Sequence, residues 1–372
     1  MTARPPPDEL ELVLEMMGVD PCLKEGDRIL DTIHFRSSIL HGPVDDGIEI
    51  GVDIGRQGSD QKISLPVPFL VSKKFLSSLP DNAKLGIALG QAMAGIPVNI
   101  YPGAPDEIKE LIKVHDPLKI VNFGPKRDGF DLEVIRSSDL MEIDVMDEVN
   151  GSPRSLPEVE KGKDLIRLID LLDEVTPSPK AIIMEPGHII ADIDFYLVTR
   201  LDLLGLNCRP YPDGRCTNSF VLSSMTQALR HMGTFKSMDK GMKLMVTVRA
   251  MDPSDLVKVF ALGANIICLD ILTLDFLKAY LRTKSNLPPD DDIDLHDHDE
   301  AIDWAEIGEL YSEMVNYLSD GIRETLRDLN IGSLDRLTKE HLITTDYNTA
   351  SITGIALSGF GGPVPFWRHR SE

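Results

Sequence analysis

Residues 243–281, KLMVTVRAMDPSDLVKVFALGANIICLDILTLDFLKAYL, leave few folds open to this chain. Two short apolar runs, 244–248 and 265–269, have the length and unbroken hydrophobicity of buried parallel strands. Between them Ser254 offers a helix cap, Leu256, Val259 and Phe260 recur at helical spacing, and Gly263 supplies a stop. Neighbouring parallel strands need a crossover connection, so this order of elements demands a parallel sheet covered by helices. The stretch reads as the last two modules of a (β/α)8 barrel.

The same alternation runs upstream. Strand-like runs fall at 67–71, 96–100, 118–123, 140–146, 181–184 and near Leu206. Helical sequence separates them. One helix is capped by Asp81 and carries Leu85, Ala88, Leu89, Ala92 and Met93 on one face; others are expected over 105–114, from Lys163, over 193–204 and over 218–231. Eight strand–helix units imply closure into a TIM barrel. The expected organisation is an N-terminal extension (1–60), the barrel (61–285), an acidic loop (286–303), and a C-terminal helix and tail packing on the barrel (304–372). The tail is too rich in Gly and Pro for a regular element.

Charge and composition narrow the function classes. The 372 residues carry 60 acidic against 38 basic side chains, a formal charge of −22, which repels phosphate backbones and argues against nucleic-acid binding. No apolar run reaches the roughly 18 residues of a membrane span, and the N-terminus lacks the apolar core of a signal peptide. Four cysteines show neither CxxC nor zinc spacing. Cys208 and Cys216 flank a Pro/Gly-rich turn and read as reduced thiols of a cytoplasmic protein, with a disulfide or shared metal as the other reading.

Several segments carry the chemistry-bearing residues. Asn99 and Gly103 follow the second barrel strand and project at the functional rim, where an ordinary strand-to-helix turn is the plainer reading. Asp213-Gly214-Arg215 with Thr217-Asn218-Ser219 places donors and a positive charge at a helix start, either an anion site or a capped turn. Arg249 offers a bidentate grip on an anion, or a salt bridge to Asp270. Lys126-Arg127 follows the third strand, where it could bind a carboxylate or pair with surrounding acids. The run from Asp290 to Asp299 holds oxygen and imidazole ligands enough for a divalent ion, but its spacing fits a solvated loop better.

In these segments the sequence resembles the flavin-binding catalytic domain of glutamate synthase, from Asp31 to about Leu342. The entry segment Leu30-Asp31-Thr32-Ile33-His34-Phe35, the Val98-Asn99 to Gly103 turn, Met141-Glu142-Ile143 with Leu156-Pro157, Asp213-Gly214 with Thr217, and residues 320–337 carry the likeness. The resemblance implies FMN at the C-terminal mouth of the barrel, held by Asn99, Gly103, Asp213, Gly214, Thr217 and Arg249. It implies an oxidoreductase of the 2-oxoglutarate-to-glutamate class, acting on an amino or imino acid. Its partners would be a small amino or keto acid and an electron-donor or amidotransferase subunit.

The family's chemical positions are rewritten here. Thr247-Val248-Arg249 replaces Asp-Gly-Gly, Cys268-Leu269-Asp270-Ile271 replaces the glycines after the eighth strand, and Asp144, Asp147, Asn150 and Met184 stand where the family has Lys, Gln, Lys and Lys. The three cluster cysteines are absent, so no iron–sulfur cluster is expected. The alternative expectation is a flavin-free, non-catalytic barrel serving as a regulatory or scaffolding subunit, or binding another small anion.

Overall fold

A computed structural model describes residues 13, 14, 17, 29–36, 47–55, 62–125, 132–149, 152–159, 162–184, 193, 194, 199, 201–207, 218–234, 241–250, 252–285, 287, 288, 293–360, 362 and 363. The chain enters through strand β1 (Ile33–Phe35) and an antiparallel hairpin, β2 (Val52–Ile54) with β3 (Ile63–Leu65). The alternation then begins with β4 (Phe69–Leu70), α1 (Lys73–Leu76), α2 (Asp81–Ala94), β5 (Val98–Ile100), α3 (Asp106–His115), β6 (Lys119–Phe123), α4 (Leu132–Arg136) and β7 (Leu140–Ile143). A hairpin of β8 (Met146–Val149) and β9 (Ser152–Ser155) interrupts it before α5 (Gly162–Val175). It resumes with β10 (Lys180–Met184), β11 (Leu203–Leu206), α6 (Asn218–Thr234), β12 (Lys243–Thr247), α7 (Pro253–Leu262), β13 (Ile266–Cys268) and α8 (Asp270–Ser285). The long α9 (Trp304–Asp328), β14 (Leu342–Thr344), α10 (Tyr347–Thr353), β15 (Ala356–Leu357) and β16 (Gly362–Pro363) follow.

Eight of these strands form one parallel sheet in the order β4-β13-β12-β11-β10-β7-β6-β5. The first barrel strand thus pairs with the eighth, and the sheet curls on itself as the (β/α)8 expectation requires. At the seam between β4 and β5, the Asn99 amide donates to the Val71 carbonyl at 2.8 Å.

Strand alternation sorts the side chains into two layers. Ile120, Leu140, Ala181, Leu203, Met245 and Ile266 form an interior cluster with Val52, Ile54, Ile63 and Leu65. The β2–β3 hairpin therefore plugs the N-terminal end of the barrel. The opposite parity, including Phe69, Met141, Ile182, Leu204, Val246 and Ile267, packs with helix residues such as Ile87, Leu168, Met225, Leu256 and Phe276. Outside the barrel, α9 lies close against α2, because Gly86, Gly90 and Gly308 let the two backbones approach.

Local chemistry moves several sequence expectations. Asp252, not Ser254, caps α7: its carboxylate accepts from the Ser254 amide at 2.8 Å, and Pro253 takes the first helical position. Leu203 and Leu204, assigned to a helix, open the sixth strand, because their burial between β10 and β12 outweighs helix propensity. Part of the acidic segment is regular although largely exposed: Leu295–Ala301 is a 3-10 turn docked on the start of α2. Asn82 donates from its backbone to Asp299 Oδ1 at 3.1 Å and from its side chain to the Asp299 carbonyl at 2.9 Å. Among the described residues no three His, Cys, Asp or Glu side chains are placed to share a metal ion. The tail is partly regular, since β15 and β16 join β1 and β14 in a four-stranded sheet. No helix of the described residues is long and apolar enough to cross a membrane.

Candidate active site at the barrel mouth

The inward parity that is apolar at the base of the barrel turns polar near the C-terminal ends of the strands. Going up each strand by two residues replaces Ile120 with Asn122, Leu140 with Glu142, Met245 with Thr247 and Ile266 with Cys268. All four are buried, at 1%, 4%, 2% and 1% exposure. Gly205 makes room beside them, since a Cβ there would meet Met245 Cε at 2.7 Å and Ile183 Cγ1 at 2.9 Å.

Around this layer the turns after the strands supply charge. Lys73, in the first turn of α1, meets Asp144, just beyond β7, at 3.0 Å. Asp270, the first residue of α8, accepts from the Ser72 amide at 2.8 Å, from Ser72 Oγ at 2.5 Å and from the Cys268 thiol at 3.0 Å. It thereby ties the turn after the first barrel strand to the end of the eighth. Burial, then the Asp270 charge, pushes the Cys268 thiol well above its ordinary range, so it is a packing residue and not a nucleophile.

Arg249 follows β12 and forks onto Asp275 of α8, with Nε to Oδ2 at 3.1 Å and Nη2 to Oδ1 at 2.8 Å. The expected Arg249–Asp270 bridge is corrected by five residues along α8, because Asp270 is engaged by Ser72 and Cys268 while Asp275 faces the guanidinium. The Arg249 backbone is itself clasped by Asn218, which accepts from its amide at 3.0 Å and donates to its carbonyl at 2.7 Å. The N-terminus of α6 therefore abuts the end of β12.

The helix starts around the mouth differ in sign. The N-termini of α7 and α8 carry the carboxylates of Asp252 and Asp270, which oppose an incoming anion. The start of α6 carries the neutral amide of Asn218 next to Arg249. Among these three it is the one suited to a phosphate.

Four buried side chains at this end retain unused hydrogen-bonding capacity: Asn99 Oδ1, the Tyr101 hydroxyl, both amide atoms of Asn122 and Thr247 Oγ1. The Asn122 amide sits close enough to the Glu142 carboxyl to favour its charged form without closing a full hydrogen bond. Burial, with Asp81 adding repulsion, raises the Tyr101 hydroxyl beyond its usual range, so it stays protonated and able to donate. Buried polar groups are ordinarily satisfied, so these atoms have capacity left for a water or a polar ligand.

Of the residues singled out from sequence, Asn99 lies inside the mouth, Gly103 forms the following turn with φ +87, a conformation that favours glycine, and Arg249 stands at the rim. Asp213, Gly214 and Thr217 lie outside the described residues, as do Cys208, Cys216, Lys126 and Arg127. Sequence reading missed Lys73, Tyr101, Asn122 and Thr247 as site residues. The available signal was parity: each of Asn122 and Thr247 is a polar residue at an inward position of an otherwise apolar strand. A separate open cleft of about 790 Å³, bordered by Glu49, Lys62, Lys243 and Arg323, lies at the opposite end beside the hairpin plug. Barrel enzymes work at the other face.

No protein-family model matches the sequence, and no curated protein matches it. Solved structures do. An (S)-mandelate dehydrogenase is 14% identical with a TM-score of 0.57, covering 90% of this chain and 98% of its own. A flavocytochrome b2 variant with benzoylformate is 14% identical at TM-score 0.57, covering 97% and 88%. A mandelate oxidase variant with the monooxide FMN adduct is 13% identical at TM-score 0.54, covering 84% and 88%. At such identity the likeness establishes the barrel fold. It also overturns the glutamate synthase-type reaction expected from sequence, because these structural neighbours are mandelate enzymes and flavocytochrome b2. An amidotransferase or electron-donor subunit finds no support among the neighbours.

Proposed function

We propose that this chain is an FMN-dependent oxidoreductase of small hydroxy or oxo acids, and neither a glutamate synthase nor a flavin-free scaffold. The observation that carries the reading is the set of buried, unspent polar atoms on Asn99, Tyr101, Asn122 and Thr247 at the active end of the barrel. Flavin rings present carbonyl oxygens and ring nitrogens that such groups complement, and the solved neighbours with this fold include one with an FMN adduct and one with benzoylformate, a 2-oxo acid.

The residues present fit the cofactor in a redistributed way. Asn99, Asn122 and Thr247 would hold the ring, with Lys73 the nearby cation. Gly103 shapes the turn that lets the rim approach. The phosphate would sit at the start of α6, beside Arg249, since the α7 and α8 termini carry acids. Bound there, FMN supplies a hydride acceptor and donor for the substrate carbon. The protein's part is to orient the substrate above the polar layer, to exclude water with the buried wall, and to manage the accompanying proton.

The test is spectroscopic. Purified protein, or protein mixed with FMN and desalted, is expected to absorb near roughly 450 nm and to bleach anaerobically with mandelate but not with glutamate. A chain that stays colourless after reconstitution overturns the reading.

A further inference from the structure

Glu142 has no task in the cofactor's binding, yet it occupies the centre of the polar layer. It lies 4% exposed on the inward face of β7, in register with Asn122 of β6 and Ala181 of β10. Four groups on the surrounding elements act on it: Asp144 beyond β7, Lys73 of α1, Asp270 at the start of α8, and Asn122. Lys73 is engaged by Asp144 at 3.0 Å. Asp270 accepts hydrogen bonds from Ser72 and Cys268. Among the described residues that act on Glu142, one cation stands against two carboxylates, and a third negative charge on Glu142 would be buried beside them. Burial first, and then Asp144 and Asp270, hold the Glu142 carboxyl well above the ordinary carboxylate range. Beside it, in register on β6, Asn122 is 1% exposed, so the amide assigned to the ring and the carboxyl share one buried layer.

We infer that Glu142 is the proton donor of this site, holding one proton in the mouth and delivering it to the oxygen of a bound oxo acid. The inference rests on the oxidoreductase reading above. With bound FMN supplying the hydride to the carbonyl carbon, the Glu142 O–H bond would break as the product's hydroxyl O–H bond forms. The oxo acid would be reduced at the cofactor's expense, and solvent would return a proton to the carboxylate. In the opposite direction the hydroxyl proton returns to the Glu142 carboxylate. The Lys73–Asp144 pair and Asp270 flank the donor in the mouth.

Two measurements test this. The infrared spectrum of wild-type protein is expected to show a protonated carboxyl band that persists above the ordinary carboxylate range and is missing in E142Q; this needs no cofactor. In the FMN-loaded enzyme, E142Q is expected to reduce benzoylformate about 10²–10⁴-fold more slowly in kcat, with KM and the visible spectrum unchanged. The wild-type rate should fall as pH rises through the loss of the infrared band, and E142Q should lack that dependence. If the variant fails to fold, the wild-type band and rate profile decide the matter by whether they share one midpoint. A band lost within the ordinary carboxylate range, or an E142Q enzyme as fast as wild type, overturns the inference and leaves the flavoenzyme reading intact. A protein that never binds flavin overturns that reading, and the donor role with it.

Discussion

Arg249 and Asp275 form a forked ion pair between the end of β12 and the second turn of α8, and both are largely withdrawn from water, at 20% and 3% side-chain exposure. Two parallel N–H···O bonds fix the guanidinium plane, so the pair locks the seventh unit of the barrel to the eighth. Removing one partner leaves the other's charge in a poorly hydrated place, while removing both does not. R249M is expected to lose about 3 kcal/mol of stability, and the double variant R249M/D275L to recover most of it. Urea denaturation of the two variants measures this; equal losses in both would show that the charges are not energetically linked.

Thr247 offers a separate handle on the ligand. Its hydroxyl is buried without a full hydrogen bond, so the free protein gives up nothing when it is replaced by an isosteric methyl. T247V should therefore match or slightly exceed wild type in thermal stability. If the hydroxyl spends its capacity on FMN, the same substitution weakens flavin binding by up to about tenfold, the worth of one hydrogen bond. Fluorescence titration with FMN reads the second effect, and unchanged affinity would remove Thr247 from the cofactor's surroundings.

The barrel was legible because its signal is repeated. Each buried strand needed only a few apolar residues, and each helix one periodic face, so errors at single elements such as the start of β11 did not disturb the count. The site was less legible. Its charged pairs join residues far apart in the chain, such as Lys73 with Asp144 and Ser72 with Asp270, and nothing local in either segment announces the other. Arg249 was recognised as a rim cation, but which acid on α8 it meets depends on where that helix begins, and Asp270 and Asp275 differ by five residues. Glu142 read as part of a strand motif, with its chemistry set by neighbours from three other elements.

The α2–α9 contact makes a different kind of prediction. A Cβ on Gly90 would lie 2.8 Å from the Gly308 carbonyl oxygen and 2.8–2.9 Å from Tyr311 atoms. Backbone on the opposing helix cannot step aside as a flexible side chain can. G90A should gain helix propensity yet still lose about 1–3 kcal/mol through overpacking. A rise in melting temperature would mean that the helices separate more easily than their spacing implies.

Lys339 donates to the Thr353 carbonyl at 3.0 Å from a largely buried position. Burial, and then the Arg230 charge, lowers its amine to about 8. Between about 8 and the ordinary value of 10.5, the unfolded chain binds this proton more tightly than the native one, so stability rises with pH across that window. K339M should remove that component of the slope. Denaturation midpoints collected from pH 7 to above 10 measure the difference between the two proteins.

Glu142 gives the opposite slope in a lower window. Its carboxyl is protonated in both folded and unfolded chains at strongly acid pH, and there it contributes nothing to the pH dependence. Above the unfolded value of 4.5, the unfolded chain releases the proton while the folded chain keeps it. The native state then binds more protons, and stability falls with rising pH until the folded carboxyl also ionises. E142Q preserves the shape and the neutral state but has no proton to lose. The variant should match wild type near pH 4 and become progressively more stable than wild type from pH 5 upward. Urea midpoints taken at intervals across that range would show the divergence, whereas parallel curves would mean that Glu142 ionises inside the barrel as easily as it does in water.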